Sequence, residues 1–346
     1  MTWLWRWAKR FGFCLVALIL GLLSPAGYVE TICQSDVVAD DYMRLLPLDP
    51  QRGESRTLLT YPEWHIVHAY DDYAEVIRTG APHDFGYLHS IGGFWSSLCQ
   101  LSRQAGAHGG VDGPTKQMVY TIGVSFTAEL LAKAAYEETL GRLAVMVRGD
   151  ARAPLDDLSA AQSDAYATFL QQVPWYRWDF AADNAALQAA QPTGFRDRER
   201  AFALGTEARV KSAYARVIGA AVAGMEPDAL RMRVIVAGMT PDTLAQFEGV
   251  RVISQRPEGV EVETPRYRAF TDLAKALAAK GADFVEIAGN DDILFTAISP
   301  DAEWPNAIYS FARQGNPGFR HLVKVKVADL ADALRATPWV EHIHDY

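Results

Sequence analysis

Two histidines one helical turn apart, His65 and His68, are the residues whose type and spacing most directly suggest chemistry. Side chains three apart on a helix are neighbours, and neutral imidazole suits Zn, Fe or Cu. At about 100° per residue, Tyr61, His65, His68, Asp72 and Glu75 fall in one stripe. Asp72 could ligate as well, or orient His68 through its second ring nitrogen. Neighbouring helices offer His89 and Glu137 to complete a shell. The expected metal set is therefore His65, His68, Asp72, His89 and Glu137. The same stripe, with Tyr61, could instead carry metal-free acid–base catalysis. The plain alternative is a solvated polar face. The Glu-x-x-His spacing of di-iron bundles is absent.

A helix must position these groups, and the stretch Leu59 to Pro82 has signals at both ends. Thr60 and Glu63 make a capping box, and Leu59 and Trp64 take the places of a hydrophobic staple. Arg78 suits the negative helix end, Gly80 a left-handed C′ position, and Pro82 forbids continuation. A second helix is expected from Asp84 as its N-cap, with Gly92 and Gly93 marking a close backbone approach. A third runs through Lys116 to Arg142, with Glu138 and Arg142 at i, i+4.

Arg6, Lys9 and Arg10 precede the apolar run Phe11 to Leu23, with Trp3, Trp5 and Trp7 as interfacial anchors. The run is short for a spanning helix, which needs about 20 residues, and fits a signal peptide cleaved near Ala26. We read residues 1–27 as a retained membrane anchor, with the cleaved signal as the alternative. Either places the remainder outside the cytoplasm, on the periplasmic side of the inner membrane. In that compartment Cys33 and Cys99 are expected to pair, tying the post-membrane segment to the second helix.

Residues 28–57 read as a tether with a short helix near Asp40, and residues 58–226 as a helical domain. In that domain Trp175, Tyr176, Trp178 and Phe180 form an aromatic wedge. From 227 to 346 the period changes to strands and helices interleaved. Asp283 to Ile287 and Ile293 to Ile298 are read as a hairpin joined by Gly289-Asn290-Asp291-Asp292. The final strand places His342 and His344 on one face, expected to be exposed. The fold class is α+β: an N-terminal anchor, a mainly helical domain, then a small α+β domain with a mostly antiparallel sheet, in ferredoxin-like halves.

A formal net charge of −9 argues against a broad nucleic-acid surface. No G-x-S-x-G, H-E-x-x-H, C-x-x-C or G-x-G-x-x-G occurs in a convincing context. The leading expectation is a membrane-anchored extracytoplasmic protein with a transition-metal site. The alternatives are a non-catalytic envelope module, docking a partner through its C-terminal domain, and a metal-free acid–base enzyme.

Overall fold

The computed structural model describes residues 2–49, 52–149, 152–172, 174–190, 194–222 and 230–344. The chain packs as two compact units that interleave along the sequence. One is Met1–Asp40, Ser55–Ile66 and Tyr87–Ala135; the other is Asp41–Glu54, Val67–Gly86 and Tyr136–Tyr346.

The first unit is helical, built from α1 (Thr2–Ile32), α2 (Glu54–Thr60), the start of α3 (Pro62–Thr79), α4 (Tyr87–Ala105) and α5 (Gly113–Tyr136). Helix α1 continues through Pro25, and Trp5–Ile32 is long and apolar enough to cross a membrane. The far end of α1 is fixed within the unit. Val29 is fully buried. Glu30 accepts from Lys116 Nζ at 3.0 Å and from the Tyr120 hydroxyl at 2.6 Å. Cys33 is disulfide-bonded to Cys99 of α4, as the cysteine count led us to expect.

Local signals at α3 worked differently from the sequence reading. Helix α2 runs directly up to it, and Thr60 donates its hydroxyl to the Thr57 carbonyl at 3.3 Å. Gly80 is not in the left-handed region. Its value is space, because a Cβ there would stand 2.9 Å from both Asp84 Oδ2 and the Val76 carbonyl. Asp84 accepts from the Ala81 amide at 2.8 Å, closing a short 3-10 turn ahead of α4 rather than capping α4 itself. No helix forms at Asp40.

The second unit takes the segment Asp41–Glu54 and the rest of α3, and from Tyr136 onward a π-helical turn (Glu137–Gly141), then α6 (Arg142–Arg148), α7 (Pro154–Leu170), α8 (Phe180–Ala189) and α9 (Phe195–Val222). The expected Glu138–Arg142 pair forms at 2.6 Å. Every described strand follows. The order is β1 (Arg231–Ala237), α10 (Pro241–Leu244), β2 (Arg251–Gln255), β3 (Val260–Pro265), α11 (Tyr267–Ala279) and β4 (Asp283–Ile287). Then come β5 (Asp292–Ser299), β6 (Ala307–Ala312), β7 (Phe319–Lys326), α12 (Val327–Ala336) and β8 (Val340–His344).

Two antiparallel four-stranded sheets result, ordered β2-β3-β1-β4 and β6-β7-β5-β8. The first half follows the βαββαβ plan, and the second repeats its strand order as βββαβ, with a loop in place of the first crossover helix. Period-2 alternation sends Val234, Val262 and Phe284 of one sheet, and Phe295, Val323 and Ile343 of the other, into one core with Phe270 and Leu330 of α11 and α12. The expected β4–β5 hairpin does not form. Strand β4 pairs with β1, whereas β5 pairs with β7 and β8. The connecting turn hands the chain from one sheet to the next. Gly289, at φ +86°, packs against the backbone of Leu46 to Leu48, and Asn290 Nδ2 donates to the Arg52 carbonyl at 2.8 Å.

Candidate functional site

The stripe on α3 is not solvated. His65, His68 and Asp72 are 3%, 2% and 4% exposed. What covers the part from Val67 onward is the outer face of the β5–β8 sheet, within the second unit. Gly315 sits against Glu75 and Val76, where its Cβ would stand 2.7 Å from each, and the Gln314 amide donates to Asp72 Oδ2 at 3.0 Å.

At the centre is Arg320 of β7, 2% exposed. Its Nη1 donates to Asp72 Oδ1 at 2.5 Å, and its Nε to Glu341 Oε2 and Oε1 at 2.9 and 3.1 Å. Asp71 Oδ2 lies 4.0 Å from its Nη2. His68 Nδ1 faces the same carboxylates, 3.6 Å from Glu341 Oε2 and 3.9 Å from Asp71 Oδ2. One ligand atom from each of His68, Asp71 and Glu341 lies within 4.8 Å of the other two.

The site divides its two best-buried carboxyls. Burial raises the Asp72 carboxyl above its ordinary range, against the pull of Arg320. Burial works to raise Glu341 too, but His68 and Arg320 outweigh it and hold that carboxyl low. His342 and His344 are buried rather than exposed, with ring centres 4.9 Å apart. Burial, with His344 and His68 as neighbours, drives His342 well below its usual range, and burial with His68 does so for His344. The hydroxyl of Thr296 lies 2.7 Å from His344 Nε2 and that of Thr271 3.4 Å from His342 Nδ1.

Of the residues expected to share a metal, the structure gathers His68 and Asp72 around Arg320. His65 belongs to the first unit. Its Nε2 lies 2.9 Å from the Ser90 carbonyl, an oxygen that only accepts, so this nitrogen carries the proton. The ring also fills the space beside Gly93 where a Cβ would sit, the close approach expected of that glycine. Gly93→Ala should therefore lower stability by about 1–3 kcal/mol through overpacking, read as a shift in the denaturation midpoint; an unchanged midpoint would mean the ring has room to move. His89 is exposed on α4. Glu137 is held by Arg200 through two bonds, 2.8 and 3.1 Å, and Arg200 also meets Glu199 at 2.6 Å.

Sequence reasoning missed Asp71, Arg320 and Glu341. Period-2 alternation along Phe319 to Lys326 puts Arg320 on the same side as Leu322, Lys324 and Lys326, opposite the core residue Val323, so it reads as an ordinary solvent-facing cation and gave no signal. Glu341 gave none either. Thr296 pairs with His342 and the adjacent Ala297 with Val340, so Glu341 is the extra residue of a bulge. Comparison of the chain with protein-family models, curated proteins and solved structures found no match.

Proposed function

We propose that the chain is a membrane-attached extracytoplasmic protein that holds a divalent metal ion through His68, Asp71 and Glu341. The observation that carries this reading is the convergence of those three ligand atoms under the sheet. Bonds of about 2.0–2.1 Å in a tetrahedral site put ligands about 3.3 Å apart. The 3.6 and 3.9 Å separations from His68 Nδ1 need only a small contraction to reach that. Three carboxylates (Asp71, Asp72, Glu341) surround Arg320, with Arg313 further out, so acidic groups outnumber the arginines at the site. One imidazole with two carboxylates suits Zn or Fe(II) and leaves room for a water ligand. The apolar α1 preceded by Arg6, Lys9 and Arg10, together with the Cys33–Cys99 disulfide, supports the membrane attachment and export.

Metal content of the detergent-purified full chain tests the reading, after dialysis against zinc or ferrous iron. About one ion per chain is expected, lost in His68→Ala and in Glu341→Gln. Equal content in all three proteins would leave the envelope-module reading, in which the cluster only holds α3 to the sheet. The same preparation, alkylated before reduction, should carry Cys33 and Cys99 as a disulfide; two labelled thiols would remove the exported placement.

A further inference from the structure

Helix α9 is inside out. It buries Arg196, Asp197 and Arg200, and leaves Phe202 65% and Val210 64% exposed. Phe195 and Val217 are exposed as well. These four apolar residues are spaced 7, 8 and 7 apart, two turns each, so they form one stripe about 33 Å long. Arg198, Arg209 and Arg216 are exposed along the same side. None of the three meets a carboxylate among the described residues. The acidic residues of α9 are turned elsewhere. Asp197 accepts from the Leu155 amide at 3.2 Å, Glu199 pairs with Arg196 and Arg200, and Glu207 pairs with Lys211 at 3.1 Å. At the helix's later end Trp175 stacks on Tyr214 with centres 5.2 Å apart. On α6, Leu143, Met146 and Val147 are exposed too.

We propose that this face of α9 lies on an anionic lipid surface. An apolar stripe flanked by arginines is the composition of an interfacial helix, and tryptophan with tyrosine suits the headgroup level. The face is purely cationic in a chain whose net charge is −9, so its charge complements a negative membrane and not the rest of the protein. A second copy is the poorer occupant, because two-fold pairing would set arginines against arginines. The inference uses the membrane attachment of α1 and owes nothing to the metal site.

The test is depth measurement on the full chain, with Cys14→Ser and a nitroxide on Thr206→Cys, a position exposed on this face. The protein is placed at one copy per nanodisc, in phosphatidylcholine alone or with phosphatidylglycerol. Retention in the disc reports α1, whereas label depth reports α9. In anionic discs the label should favour collision with oxygen over a water-soluble nickel chelate. Replacing Arg198, Arg209 and Arg216 by Gln should cut the docked-to-undocked ratio roughly fivefold each, about 100-fold together. A label equally open to nickel in both lipids overturns the proposal. Shielding that arises only with two copies per disc also overturns it, in favour of a dimer interface.

Discussion

Removing the Arg320 guanidinium, as in Arg320→Leu, should cost about 3–5 kcal/mol of folding stability. The side chain is 2% exposed and touches Asp72 and Glu341 directly. Once it is gone, both carboxyls face a buried site without their counter-charge, and the loss reflects that stranded charge more than the worth of the pair. Burial works against the charged form of Arg320, yet Glu341 and Asp72 together raise its pKa. Arg320→Lys should lose less, since it restores the charge but not the fork that meets two carboxylates at once. Adding Asp72→Asn to Arg320→Leu should recover part of the loss, because an amide carries no charge to strand. Thermal unfolding of the four proteins in one detergent checks the series. An Arg320→Leu loss below about 1 kcal/mol would show that the carboxyls find water or protons easily. The variant also separates the two readings of the cluster. Arg320 competes with any cation for Glu341, so its removal should tighten metal binding while weakening the fold. A purely structural cluster would show only the weakening.

Most strands and helices were legible; the caps around α3 and the long-range routing were not. Strands β1, β2, β3, β7 and β8 announced themselves as β-branched runs, and Thr240 caps α10 by accepting from the Thr243 amide at 3.3 Å. The Cys33–Cys99 disulfide was read from the two cysteines that follow the apolar segment, on the expectation of export. The β4–β5 turn misled because Gly-Asn-Asp specifies a reversal but not which sheet receives the next strand. The stripe on α3 could be drawn from periodicity, but not its cover. Helical neighbours such as Glu137 were the expected source of carboxylates, whereas a strand bulge supplies Glu341 and the guanidinium of Arg200 occupies Glu137. Buried arginines explain much of the error. Arg200 and Arg320 each bring two acidic side chains together inside the fold. Reading acidic residues as metal ligands from sequence leaves out the cation that already holds them. His342 and His344 misled for a related reason, since a terminal strand was taken to be an exposed one.

A second large effect is expected at Glu54, where a neutral substitution should stabilise the protein at alkaline pH. Glu54, at the start of α2, is buried and hydrogen-bonds to Asp292 of β5. Burial first, and then Asp292, push the Glu54 carboxyl up to about 9, although Lys324 pulls the other way. Burial also works to raise Asp292, but the bonds from Glu54, Lys324 and Lys326 hold it low. Lys324 Nζ stands 3.1 Å from Asp292 Oδ2 and Lys326 Nζ 3.2 Å from its Oδ1. The pair thus keeps one proton, on Glu54, where like charges would otherwise meet. A folded-state pKa raised above the unfolded value of 4.5 gives stability that is complete below that value and lost as pH climbs towards 9. The depressed Asp292 acts oppositely: its contribution is present above 3.8 and lost below it as pH falls through the folded value. Between pH 5 and 8, roughly, the Glu54 contribution should fall by about 1.4 kcal/mol per pH unit. Glu54→Gln keeps the shape, can donate an N–H to Asp292, and has no proton to lose. Its advantage over the native chain should therefore grow steadily from pH 5 to pH 8, measured as the gap between their melting temperatures. A gap that stays flat across that range would mean the two carboxyls do not share a proton.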